Sequence, residues 1–261
     1  MFPPDYHTHT FFSDGRQSHQ ELIEQAICNG FVEIGISDHV SVKPVHWACK
    51  PSVYKEMKES FPVLKEKYKD KIEVKFGLEM DYIEGQEAET EKLIHYFSPD
   101  YVIGSVHFIG DWNFDTDKSG YMGWNMDHLY AEYYRLLGKA AGCGLFDIIG
   151  HLDLIKKFNP GKPSIPCLKL DETIEIISRK GICIELNTSG MLKPCAEFYP
   201  SDAILKRCIE ASIPITLGSD AHISKDQGQF FIEATSLLLS LSCREVVSFT
   251  NRQASRVSIG H

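Results

Sequence analysis

Two histidines and an aspartate lie close together near the start of the chain, in the stretch DYHTHTFFSDG at positions 5–15. His7 and His9 are two positions apart, so their side chains would leave the same face of a strand. Asp14 follows them in a polar segment. Imidazole nitrogen and carboxylate oxygen together suit Zn, Fe or Mn better than Ca or Mg. The stretch therefore indicates either a polar N-terminal loop or the first part of a transition-metal site.

Further histidines and acids occur where short apolar segments end. His39 follows VEIGISD, Glu79 ends IEVKFGLE, and His107 ends YVIGSVH. A lone histidine at a strand end is more often hydrogen-bonded than metal-bound, but this regular recurrence favours a convergent site. His19 and His46 are expected to lie outside the site, because they fall in a predicted helix and a predicted loop. The candidate metal ligands are His7, His9, Asp14, His39, Glu79, His107, His151, Asp220 and His222.

The number of candidate ligands bounds the number of ions. A single zinc ion takes about four ligands. About nine ligands therefore imply two or three divalent transition-metal ions (Zn, Fe or Mn), with at least one bridging carboxylate. Clusters of this kind bind phosphate oxygens and lower the pKa of bound water. The ligand set thus favours a site that acts on a phosphate ester.

The elements that would position these ligands alternate along the chain. Strand-like apolar runs are separated by segments with helical spacing of apolar residues, which predicts a parallel sheet covered by helices. A closed or nearly closed α/β barrel fits a single domain over residues 1–261, and a doubly wound open sheet is the alternative. In a barrel, the C-terminal ends of the strands meet on one face, so ligands far apart in sequence would converge there.

The predicted elements have the following bounds. The opening DYHTH is expected to form a short first strand, and the tail around Asn251 and Arg252 a terminal hairpin. The other predicted strands cover 32–37, 72–79, 101–106, 146–150, 182–187 and 213–218. The predicted helices cover 18–30, 51–69, 87–97, 126–142, 167–181 and 201–212.

Composition and charge narrow the class of protein. The chain has 261 residues, of which 43% are hydrophobic and 24% charged, as in ordinary globular proteins. The net charge of −9 weighs against a long nucleic-acid substrate. No two of the eight cysteines are closer than twelve positions, which argues against zinc-finger and thioredoxin-type motifs. No apolar run is long enough to cross a membrane and MFPPDYH has no signal-peptide pattern, so a cytoplasmic location is expected.

A series of short motifs resembles the PHP (polymerase and histidinol phosphatase) superfamily and, within it, the stand-alone histidinol-phosphatases. The motifs are HTHTFFSDG, ISDH, GLEMDY, SVH, GHLDLIKKF, ELNTSG and GSDAH, and they run in this order from residue 5 to about residue 222. The resemblance implies a distorted TIM-like (β/α)7 barrel with a trinuclear metal site at the C-terminal ends of the strands. It assigns one ion to His7, His9, Glu79 and Asp220, a second to Glu79, His107 and His151, and a third to Asp14, His39 and His222.

The resemblance also implies a reaction, the hydrolysis of L-histidinol phosphate to L-histidinol and phosphate in histidine biosynthesis. A metal-bridging hydroxide would attack phosphorus, with Glu79, Asp220 and His222 as the catalytic residues. The group that protonates the leaving alcohol and the oligomeric state stay open. Two alternatives remain: a PHP phosphoesterase that acts on nucleotides or other small phosphate esters, and a metal-binding module without turnover. The expected partner is a small phosphate ester, not a membrane or a long nucleic acid.

Candidate substrate contacts lie near the predicted strand ends, and they are Arg16, Lys156, Lys157 and Asn187. Lys156 and Lys157 belong to HLDLIKKF, where the similar family position is basic and near the substrate phosphate. One position departs from the family pattern. Leu192, in NTSGMLKP, stands where an arginine is typical of the related phosphatases. The neighbouring Lys193 lacks the bidentate fork of an arginine, so substrate recognition is expected to differ here.

Overall fold

A parallel sheet that curls into a barrel forms the centre of the fold. The computed structural model describes residues 2–164 and 166–260. The strands are β1 (Glu33–Ile36), β2 (His39–Val40), β3 (Glu73–Asp81), β4 (Tyr101–Ser105), β5 (Phe108–Ile109), β6 (Trp112–Asn113), β7 (Ile148–Ile149), β8 (Cys183–Asn187), β9 (Ile215–Gly218), β10 (Glu245–Thr250) and β11 (Gln253–Ser258). The main sheet has the order β1-β3-β4-β7-β8-β9, with parallel neighbours throughout, and β2 pairs with the end of β3.

The N-terminal segment closes this sheet between its first and last strands. Asp5 forms parallel bridges with both Ile34 of β1 and Leu217 of β9, and Thr8 bridges to Ala221 just beyond β9. The short first strand predicted for DYHTH is therefore wrong as a continuous strand, because the segment bonds to both neighbours through isolated bridges. The predicted fold class is confirmed: the chain forms a distorted TIM-like α/β barrel, not an open doubly wound sheet.

Helices follow the strands around the barrel. The α-helices are α1 (His19–Cys28), α2 (Tyr54–Tyr68), α3 (Glu87–Phe97), α4 (Met126–Gly142), α5 (Leu168–Lys180), α6 (Asp202–Glu210) and α7 (Phe231–Ser240). The helix α1 begins at a capping box in which Ser18 and Glu21 each accept a hydrogen bond from the other's backbone. In the part of the chain that the structure describes, no helix has both the length and the apolar character that crossing a membrane requires.

The C-terminal hairpin covers the end of the barrel at which the parallel strands begin. β10 and β11 pair antiparallel across a turn at Asn251 and Arg252, both with positive φ, which confirms the predicted hairpin. The Arg252 side chain pairs with Asp147, just before β7, at a distance of 2.9 Å. The backbone N–H of Arg252 donates to the carbonyl of Asp100, just before β4. The hairpin is thus fixed to the N-terminal ends of two barrel strands.

Aromatic side chains fill the barrel above this hairpin. Tyr6, Tyr101 and Phe249 belong to one buried apolar cluster, and the Tyr101 hydroxyl donates to the carbonyl of Tyr6 at 2.6 Å. A Cβ at Gly77 would lie 2.1 Å from the Tyr101 ring, so β3 needs a glycine at this point. Because aromatic rings fill the end of the barrel next to the hairpin, the open end is the opposite one, where the candidate metal ligands lie.

Candidate metal centre

All nine predicted ligands lie at or just beyond the C-terminal ends of the barrel strands. Potential ligand atoms that lie within 4.8 Å of one another combine eight of them, all except Asp220, into three overlapping sets. The sets are His7, His9 and Glu79; Glu79, His107 and His151; and His9, Asp14, His39 and His222. The structure therefore brings the predicted ligands together at one end of the barrel.

Glu79 is the central residue of this arrangement, and its side chain is only 1% exposed. Its Oε2 lies 3.0 Å from Nε2 of His7 and 2.9 Å from Nδ1 of His39. Its Oε1 lies 3.0 Å from Nε2 of His151 and 3.7 Å from Nε2 of His107. The two oxygens of one carboxylate thus face two different groups of histidines, which is the geometry of a bridging ligand.

Asp220 completes the set that contains the two histidines of the N-terminal segment. Its Oδ1 lies 3.8 Å from Nε2 of His7 and 3.4 Å from Nε2 of His9. Its Oδ2 accepts hydrogen bonds from Ser189 Oγ at 3.2 Å and from Asn187 Nδ2 at 3.4 Å. The carboxylate is therefore turned so that one oxygen remains available beside the imidazole rings.

The outermost set joins the N-terminal loop to the loop after β9. Oδ1 of Asp14 lies 3.7 Å from Nε2 of His39 and 3.3 Å from Nε2 of His222. His9 also belongs to this set, since its ring stacks on that of His39 with centroids 4.3 Å apart. His9 thus adjoins two sets, whereas the resemblance assigned it to one ion only. This set is the most open of the three, because the Asp14 and His222 side chains are 35% and 39% exposed.

The residues present fit divalent transition-metal ions. His7 Nε2, His9 Nε2 and Glu79 Oε2 are buried and have no hydrogen-bond partner, although the Glu79 oxygen lies 3.0 Å from the His7 nitrogen and 3.5 Å from the His9 nitrogen. A buried polar atom without a partner costs free energy unless another group satisfies it. The separations of 2.9–3.8 Å between facing ligand atoms match the roughly 3.3 Å expected between ligands about 2.0–2.1 Å from a tetrahedral ion.

Burial and neighbouring charges shift the ionisation of these groups in opposite directions. Burial raises the pKa of Glu79, but His7 and His39 outweigh burial and hold that pKa well below its usual range. Burial lowers the pKa of His39, but Glu79 outweighs it and raises the pKa to about 9. Burial together with His39 and His222 lowers the pKa of His9 to about 4. Without a metal, an anionic Glu79 therefore faces a cationic His39, while the His9 ring beside them is neutral.

Other side chains fix the orientation of the candidate ligands. Nδ1 of His107 lies 2.6 Å from Oδ1 of Asp81, and Nδ1 of His7 lies 2.7 Å from Oε1 of Glu185. In each case one ring nitrogen is held by a carboxylate and the other faces Glu79. This is the usual way in which a protein sets the tautomer and ring orientation of a metal-binding histidine.

Asp38 fixes the loop that carries Asp14. Its carboxylate accepts hydrogen bonds from the backbone N–H and hydroxyl of Thr10, both at 2.7 Å, and from the Ser13 hydroxyl at 2.6 Å. Nε2 of His19 lies 3.2 Å from the same carboxylate. The expectation that His19 stays outside the site agrees with this position, since it contacts the loop acid and not a candidate ligand.

A pocket of about 380 Å³ opens directly above the ligands. Lys157 lines it and lies 2.5 Å from Asp115, which also lines it. Lys156 points elsewhere, into a neighbouring pocket, where it pairs with Glu197 at 2.8 Å and Asp153 at 3.0 Å. The two adjacent lysines of the predicted phosphate contact are therefore separated by the structure, and only the second faces the metal centre.

The remaining predicted substrate contacts lie outside the pocket wall. Asn187 is fully buried, and its amide donates to Glu185 at 3.1 Å as well as to Asp220. Arg16 is exposed, and its backbone N–H donates to the carbonyl of His222 at 2.9 Å. Both residues thus contact the ligand-bearing segments, Asn187 through its side chain and Arg16 through its backbone.

Several residues of the pocket wall come from irregular connections between the helices and strands. His46 and Trp47 line the pocket although they lie in the irregular segment between β2 and α2, and His46 was expected to lie outside the site. Asp115 comes from the long connection after β4. Leu192, where the resemblance to the family implies an arginine, lines the pocket with its side chain 63% exposed. Irregular connections of this kind show no periodicity that would indicate which side chains face the site.

Known proteins resemble this chain over almost its whole length. A family model described as the PHP domain matches residues 5–189. A protein of Deinococcus radiodurans named "Probable histidinol-phosphatase" is 33% identical over 255 residues, covering 95% of this chain and 97% of that protein. A histidinol-phosphatase of Lactococcus lactis subsp. lactis is 26% identical over 262 residues, covering 97% and 96%.

A solved structure shares the fold. It is the histidinol phosphate phosphatase of Lactococcus lactis subsp. lactis, crystallised in complex with zinc, L-histidinol and phosphate. The two structures superpose with a TM-score of 0.83 and 25% identity, over 97% of this chain and 98% of the other. The barrel and its connections therefore correspond from end to end in the two proteins.

Proposed function

The chain belongs to the PHP domain family, and on that premise we propose that it is a metal-dependent phosphatase that hydrolyses L-histidinol phosphate to L-histidinol and phosphate in histidine biosynthesis. The observation that carries the proposal is the position of Glu79, whose two carboxylate oxygens face separate histidine groups beneath a single pocket. Relatives named histidinol-phosphatase, which match more than nine-tenths of this chain, support the choice of substrate.

The ligand residues would hold the ions that this reaction needs. We propose three ions, held by the three ligand sets around Glu79 and His9. When bound, divalent ions supply a water of lowered pKa as the nucleophile and positive charge beside the phosphate oxygens. Glu79, buried between two sets, fixes their spacing. The ligand side chains would thus hold the ions that face the phosphate, and attack of water on phosphorus would release the alcohol without a covalent link to the protein.

Positive charge in the pocket wall suits the phosphate group. Lys157 and Lys193 both line the pocket. Within residues 2–164 and 166–260, the Lys193 side chain forms no ion pair, whereas Lys157 is held by Asp115. Ammonium groups form strong, charge-assisted hydrogen bonds with phosphate oxygens. We therefore assign Lys157 and Lys193 to the substrate phosphate.

Two residues beside the ions suit proton transfer to the leaving alcohol. Asp220 and His222 line the pocket, and Nδ1 of His222 lies 3.7 Å from Oδ1 of Asp220. The Ser189 hydroxyl donates to the other oxygen of Asp220 and limits its rotation. Because Asp220 and His222 would both hold ions, the proton for the alkoxide oxygen would come from a water that an ion activates, and this pair would orient that water beside the leaving group.

Phosphate release by the purified protein tests the proposal. The protein is stripped of metal, reconstituted with Mn, Zn or Fe, and compared on L-histidinol phosphate, p-nitrophenyl phosphate, a mononucleotide and a short single-stranded oligonucleotide. We expect kcat/KM for histidinol phosphate to exceed the others at least about a hundredfold, or about 2.7 kcal/mol in transition-state binding. The Glu79→Gln variant is the inactive control.

A flat substrate profile, or a preference for the nucleotide, would overturn the assignment to histidinol phosphate. Metal uptake without turnover on any ester would overturn the enzymatic role. Full activity of the Glu79→Gln variant would contradict a bridging carboxylate, because the amide cannot supply two anionic oxygens.

A further inference from the structure

Glu185, in β8, lies between two of the ligand sets and belongs to neither. Its side chain is 1% exposed. Its Oε1 lies 2.7 Å from Nδ1 of His7, and its Oε2 accepts the backbone N–H of His151 at 2.9 Å. The amide of Asn187 donates to Oε2 as well, at 3.1 Å. One buried carboxylate thus contacts a ring in the first set and the backbone of a residue in the second.

The backbone of His151 needs such an acceptor. His151 has φ +22°, in a region that residues other than glycine rarely adopt. Such a conformation persists only where the surroundings fix it. The hydrogen bond from His151 N–H to Glu185 is a direct restraint on this residue, and it sets the direction in which the imidazole leaves the chain. Nε2 of that ring then lies 3.0 Å from Oε1 of Glu79.

The chain opposite Glu185 is shaped to admit its carboxylate. A Cβ at Gly218, the last residue of β9, would lie 1.8 Å from Oε1 of Glu185 and 2.6 Å from the Cβ of His7. Only glycine leaves room for the carboxylate to reach the ring. The contact between Glu185 and His7 therefore depends on the glycine at position 218 as well as on the carboxylate.

We propose that Glu185 is a positioning residue that couples the His7 set to the His151 set, holding both in register around Glu79 without itself being a metal ligand. This inference rests on the proposed metal-dependent function. Fixing the ring of His7 leaves its Nε2 directed at Glu79 and Asp220. Fixing the backbone of His151 directs its Nε2 at the other oxygen of Glu79. Among the described residues, no hydrogen bond joins Glu185 to Asp14, His39 or His222.

Metal binding measured without substrate tests the coupling. Glu185→Ala removes the contacts to both His7 and His151, and Glu185→Gln keeps the side-chain shape but has one acceptor oxygen for the three donors of His7, His151 and Asn187. Asp81→Asn is the matched control, because Asp81 orients only His107. Each variant is stripped, titrated with Mn or Zn, and assayed for bound metal by mass spectrometry. We expect Glu185→Ala to lose affinity at both Glu79-centred sets by roughly 10–100-fold, Glu185→Gln to lose less, and Asp81→Asn to lose it at one set.

Melting temperatures and steady-state kinetics distinguish a positioning role of Glu185 from a general structural defect. The melting temperature of the metal-free protein should change little in Glu185→Gln, while the rise on adding metal shrinks. At saturating metal, kcat should fall while KM stays within about twofold of the wild type. A structural defect would instead lower the metal-free melting temperature and leave the metal content per folded molecule unchanged.

The outcomes distinguish this inference from the proposed function. Wild-type metal affinity in folded Glu185→Ala, or in Glu185→Gln should the alanine variant not fold, overturns the coupling. Loss confined to one set, as in Asp81→Asn, overturns it too. A wild-type protein that binds metal but does not hydrolyse histidinol phosphate overturns the proposed function, while the metal titration still decides the role of Glu185.

Discussion

The ammonium group of Lys157 lies 2.5 Å from the carboxylate of Asp115 in the wall of the pocket, while the adjacent Lys156 is turned away from it. The pairing holds an otherwise flexible cation at a fixed place beside the ligand sets. Because Asp115 also partly neutralises it, an incoming phosphate competes with that carboxylate for the lysine. Two neighbouring lysines thus occupy different environments.

Replacing each lysine separately should reveal this difference. Lys157→Met removes a charge-assisted contact worth about 1.5–3 kcal/mol, so we expect kcat/KM for the phosphate ester to fall roughly 10–100-fold. Lys156→Met, the matched control, should leave KM unchanged and lower only the melting temperature, because it breaks the pairs with Asp153 and Glu197. Steady-state kinetics and calorimetry on both variants check this. Equal kinetic losses in the two variants would contradict it.

The ligand sets illustrate what a sequence can predict. His7, Glu79, His107 and His151 were assigned because their residue types recur at strand ends, and a parallel barrel gathers such ends on one face. The catalytic and substrate roles of the site residues, and the single domain over 1–261, stay predictions. Helix bounds over 87–97 and 126–142 also match α3 and α4, where apolar periodicity is strong.

Other elements lacked a local signal. The sequence does not predict α7, because its N-cap residue is Phe230, whose side chain cannot cap a helix. The left-handed φ of 59° at Phe230 depends on the surrounding fold. The sequence of the N-terminal segment predicts a strand. In the structure the segment forms isolated bridges to β1 on one side and to β9 and the residue Ala221 on the other, and this pairing arises only when the barrel closes. His46 and Trp47 reach the pocket from an irregular segment, where position depends on tertiary packing and not on a repeat.

The exposed Leu192 offers a test of substrate recognition. It lines the pocket at the position where the resemblance to the family implies an arginine, and its side chain is 63% exposed. Leu192→Arg would supply a bidentate donor for phosphate, so we expect KM for the ester to fall about tenfold. Leu192→Met is the size-matched control and should behave as the wild type. If the arginine raises KM or leaves it unchanged, the pocket binds phosphate through other groups, with Lys193 the first to examine.

Buried thiols provide a pH-dependent test of the fold. Burial, with a small effect of Asp38, raises the pKa of Cys49 to about 12, and burial raises that of Cys208 to about 12. The thiolate is the reactive form, so below these values each unit of pH changes its population tenfold. At pH 8, iodoacetamide should modify the exposed Cys28 of the native protein and spare both buried thiols. Peptide mass spectrometry reads the sites.

The same reagent in urea is the control for that experiment. Once the chain is unfolded, burial no longer raises the pKa, and Cys49 and Cys208 should react as readily as Cys28. Rapid labelling of Cys49 in the native protein at pH 8 would contradict the packing between α2 and the segment that follows β2. Cys49 lies in that segment, and its thiol is 3.6 Å from the sulfur of Met57 in α2.

Removing the metal should destabilise the protein measurably. Without an ion, His7 Nε2, His9 Nε2 and Glu79 Oε2 are buried and have no hydrogen-bond partner. An ion present at about a hundred times its Kd stabilises the folded state by about 2.7 kcal/mol. For a chain of this size that corresponds to a rise of roughly 5–10 °C in melting temperature. Calorimetry before and after chelation, and again after adding Mn or Zn, measures the shift.

Two histidine variants decide whether the shift comes from the proposed centre. His9 adjoins two ligand sets, so His9→Ala should abolish most of the metal-dependent rise in melting temperature. His95, in α3, has a side chain that is 79% exposed and belongs to none of the ligand sets. His95→Ala should keep the full rise. An equal rise in the two variants would mean that the ion binds elsewhere, and the absence of any rise in the wild type would contradict metal binding at this centre.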